Sequence, residues 1–215
     1  MVALERLASL RRTTDQSESH WLYRRALSFA TELRDKETEA RIRNSLAVLA
    51  WQGGELDEAE KQYGMAAAII RRDQNTQELG VVLNGLGVVL TKLDRATEAL
   101  KILDEALTSN REHNHDGAEA DSLSALGAAA RAADDLANSG DWYQECVDIR
   151  RGLGDRAGEG WALQRLSEVS REAEERQKAD AHSAAAMAIG REIGDKELES
   201  LASKLQSPDH TSGNK

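Results

Sequence analysis

The chain has 215 residues, with 28 Lys and Arg against 38 Asp and Glu and a formal net charge of −10. This balance supplies no basic face for a nucleic-acid backbone, and a single cysteine, Cys146, excludes an internal disulfide framework and suits a reducing compartment. One proline, 16 glycines and 31% charged residues, with Ala, Leu, Glu and Arg prominent, favour helices over sheets.

At the N-terminus, Glu5 and Arg6 interrupt any apolar export-type run, and Val2 to Leu10 reads as a degenerate first helix. The most apolar stretch, Leu79 to Leu90, contains Asn84 and falls short of the roughly 18 residues a membrane span needs. The expectation is a soluble, cytoplasmic protein with no membrane and no direct nucleic-acid partner.

From there a 40-residue period organises the chain. Leu46, Leu86, Leu126 and Leu166 are each followed by a small residue: Ala47, Gly87, Gly127 and Ser167. Ala26, Ala66, Ala106, Cys146 and Ala186 keep the same step. So do Tyr23, Tyr63, Leu103, Tyr143 and Ser183, and then Phe29, Ile69, Ser109, Ile149 and Ile189. Arg71, Arg111, Arg151 and Arg191 close the units, followed four residues later by Asn75, His115, Asp155 and Asp195.

Each unit reads as two helices. The first carries an apolar stripe at helical spacing, such as Leu83, Leu86 and Leu90; the second repeats Ala99, Leu103 and Ala106 at i, i+4 and i+7. Gly53–Gly54, Leu93–Asp94 and Asp134–Asp135 break the chain within units, and Gly154–Asp155 and Gly194–Asp195 break it between them. Five units are expected, at about 1–38, 39–78, 79–118, 119–158 and 159–198. A capping helix at 196–206, with Leu198, Leu201 and Leu205 on one stripe, follows, and a disordered tail at 207–215. The expectation is one domain over 1–206, with the abrupt start admitting a larger parent chain.

These columns resemble the tetratricopeptide repeat, in which a leucine and a small residue on the first helix pair with an alanine, a large and a small residue on the second. The resemblance covers about residues 17–206. The period exceeds the family's usual length of about 34 residues, as in the longer repeats of kinesin light chains and of bacterial regulator sensor regions. Arginine stands where the family places a helix-ending proline, and Ser183 takes the large position of the fifth unit. The fold the resemblance implies is all-α: a right-handed α-solenoid of antiparallel helix pairs, with first helices lining a concave groove.

No catalytic motif is present. The sequence has no phosphate loop, no H-E-x-x-H and no C-x-x-C. Gly85-Leu86-Gly87 lies inside a helix and reads as close packing, and Cys146 as a buried thiol in a small-residue column. His113-Asn114-His115-Asp116 offers possible metal ligands but reads as a polar turn between units. Glu172 to Glu175, with Arg171 and Arg176, reads as a solvated helix end rather than as an acidic docking patch. Catalytic, cofactor-binding and metal residues are therefore expected to be none.

What remains is surface. The groove columns implied by the resemblance are Asn44, Asn84, Ser124 and Gln164; Arg41, Val81, Asp121 and Trp161; Val48, Val88, Ala128 and Glu168; and Trp51, Thr91, Arg131 and Arg171. Side-chain amides both donate and accept, and so suit a peptide backbone, although a hydrogen bond to a neighbouring helix would use them equally well. Trp51 and the valines suit an apolar anchor, Arg131 and Arg171 a carboxylate or phosphate, and Trp161 either packing or a hot spot. Trp142 precedes the core Tyr143 and reads as packing or an outer-face contact. The sequence thus points to a non-catalytic module taking a protein or peptide segment in its groove, without a cofactor. A sensor region of a bacterial regulator, binding a small molecule or oligopeptide, is one alternative. A self-associating homo-oligomer is the other.

Overall fold

The computed structural model describes residues 2–11, 16–73 and 78–206. Among them are eleven helices and no strand: α1 (Val2–Arg11), α2 (Gln16–Glu32), α3 (Lys36–Gln52), α4 (Leu56–Asp73), α5 (Leu79–Lys92), α6 (Ala96–Glu112), α7 (Asp116–Ala132), α8 (Leu136–Gly152), α9 (Arg156–Glu172), α10 (Arg176–Ile193) and α11 (Lys196–Gln206). The degenerate first helix and the terminal one both form. Asn75 and the tail at 207–215 lie outside the described residues.

Turn chemistry sets the spacing. Left-handed residues end helices at Arg34, Gly54, Asp94, Asn114, Asp134, Gly154, Glu174 and Gly194, on a 20-residue grid. After each, an amide reaches back five residues, as in Asp35 N to Ala30 O (2.9 Å), Arg95 N to Leu90 O (3.0 Å) and Asp155 N to Arg150 O (2.9 Å). This is the Schellman closure that satisfies the last carbonyls of a helix. The next helix starts at once, often on an aspartate cap: Asp35, Asp135 and Asp155 accept from the amides of Thr38, Asn138 and Gly158. Equal helices separated by equal turns make a repeat of two.

The chain divides into two compact units, 1–115 and 116–215. In unit 1, Leu22, Tyr23, Ala26, Ala30, Ile42, Leu46 and Leu49 form one buried cluster with Ala8 of α1. The small-residue columns work by proximity. A Cβ on Gly87 would overlap the Leu103 side chain, and one on Gly85 would overlap the Tyr63 ring of the preceding helix pair. The Gly85-Leu86-Gly87 run is therefore a packing site, as its sequence implied. In unit 2, Tyr143 packs with Leu166 and Val169, and its ring stands where a Gly127 side chain would be. Burial pushes both Tyr63 and Tyr143 up to about 12. Cys146 is buried and its thiol is raised by that burial.

The arginines that close units have a partner in the repeat. Arg151 Nε donates to Glu159 (2.8 Å) and Arg191 Nε to Glu199 (3.1 Å), each eight residues on, in the first turn of the next helix. Arg71 faces Leu79 at that position and turns to Glu105 instead (2.6 Å). In unit 2, α11 buries Leu198 and Ala202 completely, with Leu201 and Leu205 half-buried.

Candidate functional site

The predicted groove residues lie on the first helices of the pairs, so the site is built separately in each unit. In unit 1, α3 carries Arg41, Asn44, Val48 and Trp51, and α5 carries Val81, Asn84, Val88 and Thr91. Steps of three and four residues keep each set on one stripe. Trp51 and Val81 are 41% and 46% exposed, and Asn44, Val48, Asn84 and Val88 are half-buried. Arg41 leans on its own helix, donating to Thr38 Oγ1 at 3.2 Å with Glu37 at 4.0 Å. The Thr91 hydroxyl donates to the Gly87 carbonyl at 2.9 Å. Asn84 Oδ1 is buried without a hydrogen-bond partner. An unmet acceptor of this kind costs about 1–3 kcal/mol, which a ligand N–H recovers once the amide turns to meet it.

Unit 2 places the same columns on α7 (Asp121, Ser124, Arg131) and α9 (Trp161, Gln164, Glu168, Arg171), and here they engage one another. Arg131 Nη1 donates to Glu168 Oε2 at 2.7 Å, and its Nε and Nη2 bind Glu172, the Nε at 2.9 Å. The Glu172 bonds hold the Arg131 guanidinium above its ordinary pKa. Glu168 also accepts from Arg165 (3.1 Å). Asp121 is bound by Arg150, which reaches Asp155 as well (2.8 Å). Trp161 is half-buried, and its Nε1 donates to Asp195 Oδ2 at 3.2 Å. Gln164 is 1% exposed with Oε1 unpartnered, and Ser124 is half-buried. Arg171 comes within 3.4 Å of Asp180, while its Nε is buried without a partner.

The amide column therefore splits. Asn44 and Asn84 sit at the surface of unit 1 among apolar side chains, whereas Gln164 is sealed inside unit 2. The two arginines expected to meet an anion are both engaged: Arg131 holds two glutamates and Arg171 comes within 3.4 Å of Asp180. The residues Glu172 to Arg176 form an exposed helix end as expected, except that Glu172 is drawn onto Arg131. The sequence does carry a signal for these links. Opposite charges 37 and 41 residues apart, close to the 40-residue period, join neighbouring first helices. Arg71–Glu105, 34 apart, joins neighbouring second helices, and Arg156–Glu192, 36 apart, joins α9 to the second helix of its own pair, α10.

The remaining candidates are structural. His113 to Asp116 forms the turn between α6 and α7, with Asn114 left-handed and His113 Nδ1 2.7 Å from the Ser109 carbonyl. Trp142 is half-buried on α8. No group of three metal-ligating side chains occurs among the described residues. None of the helices described is long and apolar enough to cross a membrane.

Residues 78–151 match the family model of the tetratricopeptide repeat. The match spans about a third of the chain. Solved structures of the same fold include BtubC (BKLC) from P. vanneervenii, 25% identical, covering 89% of this chain and 80% of that one with a TM-score of 0.81. The kinesin-light-chain repeats of Podospora anserina are 14% identical over 89% of this chain and 95% of theirs, TM-score 0.75. A Rap protein complexed with competence and sporulation factor is 12% identical, covering 93% of this chain but only 56% of its own length, TM-score 0.79. No curated protein sequence matches the chain. The repeat resemblance and the all-α helix-pair fold drawn from the sequence both hold.

Proposed function

We propose that this tetratricopeptide-repeat protein is a non-catalytic interaction module and that its partner segment lies on the first-helix face of unit 1. The observation that carries this reading is the chemistry of that face. Asn44 and Asn84 repeat one period apart among Val48, Trp51, Val81 and Val88, and the Asn84 oxygen has no intramolecular partner. Apolar side chains give the segment its anchors and the two amides meet its backbone. The face of unit 2 contributes less, because an anion reaching Arg131 has to displace Glu168 and Glu172.

The likeness to a Rap protein solved with a bound factor supports a repeat face that takes a ligand. The same likeness favours a second reading, in which the chain is the sensor part of a larger regulator and the ligand is a small molecule or oligopeptide. Substituting Asn44→Leu and Asn84→Leu together distinguishes a protein dock from other roles. Partner proteins captured from lysate by the wild type are lost by this variant at unchanged helicity; an identical capture by both baits removes the proposal.

A further inference from the structure

Away from the first-helix faces, the second helices are separated by outer clefts that recur with the repeat. One lies between α2 and α4 (about 460 Å³), one between α4 and α6 (about 540 Å³), and one between α8 and α10 (about 530 Å³). Their walls use the same columns but differ in what fills the mouth. At one column the first two clefts place His20 and Glu60, and the third has Gly140, where an added Cβ meets only Val169 at 4.0 Å. Glu60 is further tied down by Arg95 at 2.8 Å. The α8–α10 cleft thus has no side chain at that position of its mouth. Its floor is Leu136, Leu166 and Val169, and its rim carries the carboxylate of Asp141 together with His182 and Lys178, the last paired with Glu175 at 2.9 Å.

The opposite chemistry stands on α2. Trp21 is 54% exposed in a column held elsewhere by Lys61, Lys101, Asp141 and Ala181, and the Arg25 guanidinium lies 5.2 Å over its ring. Phe29 and Leu33, 37% and 69% exposed, continue the stripe at steps of four residues. Tryptophan and arginine are the residue types that dominate interface energetics, and a stacked arginine is held in position before it meets a partner. Charge follows the same division. Unit 1 has 16 basic and 18 acidic residues and unit 2 has 12 and 20, so the units carry −2 and −8. Residues 1–34 hold six arginines and four acids and are net positive. An apolar stripe edged by arginine matches an apolar cleft edged by aspartate, and both are on this chain.

We propose that a second copy of this chain is the occupant: Trp21 of one copy enters the α8–α10 cleft of the next, and Arg25 pairs with Asp141. The two surfaces are different, so the contact is heterologous and joins copies head to tail rather than as a closed two-fold pair. It uses neither Asn44 nor Asn84 and stands independently of the first-helix face.

Sedimentation velocity of the full chain up to about 100 µM tests the assignment. The wild type is expected to gain mass with concentration, and Trp21→Ala, Arg25→Glu, Asp141→Arg and Gly140→Phe each to raise the dissociation constant about 30-fold or more. The deciding arm is a mixture. Trp21→Ala keeps a good cleft, and Gly140→Phe keeps a good α2 face. Each alone is monomeric, but the two together form a 1:1 dimer that grows no further. The Arg25→Glu/Asp141→Arg double variant, with the charges exchanged, recovers concentration-dependent growth. A wild type that stays monomeric throughout overturns the proposal, as do variants that associate like the wild type or a mixture that stays monomeric. Far-UV circular dichroism of each variant separates loss of association from loss of fold.

Discussion

The two units are built from one repeat, yet their equivalent surfaces are chemically opposite. On α3 and α5 the face shows amides, valines and a tryptophan with few internal commitments. On α7 and α9 the same columns are occupied by Arg131, Glu168, Asp121 and Trp161, and each is bound to another residue of unit 2. Beneath the faces the cores agree: Leu83 and Leu123 are both fully buried. A repeat therefore fixes where a side chain stands without fixing whether it is available. Availability depends on what lies one period away. An arginine facing a glutamate becomes a strut, whereas the Asn84 oxygen, with Asn44 and Ser124 one period away, has no hydrogen-bond partner.

The largest effects should fall on what the units share. Leu83→Ala and Leu123→Ala are each expected to cost about 2–5 kcal/mol in denaturant unfolding, by lost burial and the cavity left behind. A much smaller loss in either would mean that its unit is loosely packed and that the comparison of faces rests on unlike scaffolds. Next comes the difference itself. Asn44→Leu/Asn84→Leu is expected to weaken partner capture about tenfold or more, while Arg131→Gln leaves capture unchanged. Freeing Arg131 by Glu168→Gln/Glu172→Gln should create phosphate or sulfate affinity in unit 2, detectable by calorimetry, where the wild type has little.

The turns offer a gain. Arg34 in unit 1 and Glu174 in unit 2 sit at φ of 56° and 61° where Gly54, Gly154 and Gly194 do so without strain. Arg34→Gly and Glu174→Gly should each stabilise by about 0.5–1 kcal/mol in thermal unfolding. A further effect is on pH. Tyr63 and Tyr143, one in each unit, are raised from 10.0 to about 12 by burial. A raised folded pKa gives stability that is whole below pH 10 and declines as pH rises from 10 towards 12. Phenolate absorbance near those values should coincide with falling stability; ionisation near 10 at intact helicity would show the rings are not buried.

Much of the fold was legible because helix pairs are specified locally. The leucine stripes, the small residues Gly87 and Gly127 and the breakers at Gly54, Asp94 and Asp134 each act within a few residues of themselves. Even the capping helix could be placed from Leu198 onward. The site was legible only as columns. Nothing local to Arg131 says that Glu168 and Glu172 will face it, since that follows from how successive first helices align. Gln164 shows the same limit: its column and residue type match Asn84, and only the packing around α9 reveals that it is sealed. Trp21 passed unremarked because its column is one of outward polar residues rather than one of the apolar or groove columns.

The central claim, that the open face belongs to unit 1, is tested most directly by quantitative capture from lysate. Three baits are compared by mass spectrometry: the wild type, Asn44→Leu/Asn84→Leu and Arg131→Gln/Arg171→Gln. The account predicts a set of proteins held equally by the wild type and the arginine variant and lost by the asparagine variant. A set that survives the asparagine changes but is lost with the arginines would contradict it and move the binding face to unit 2.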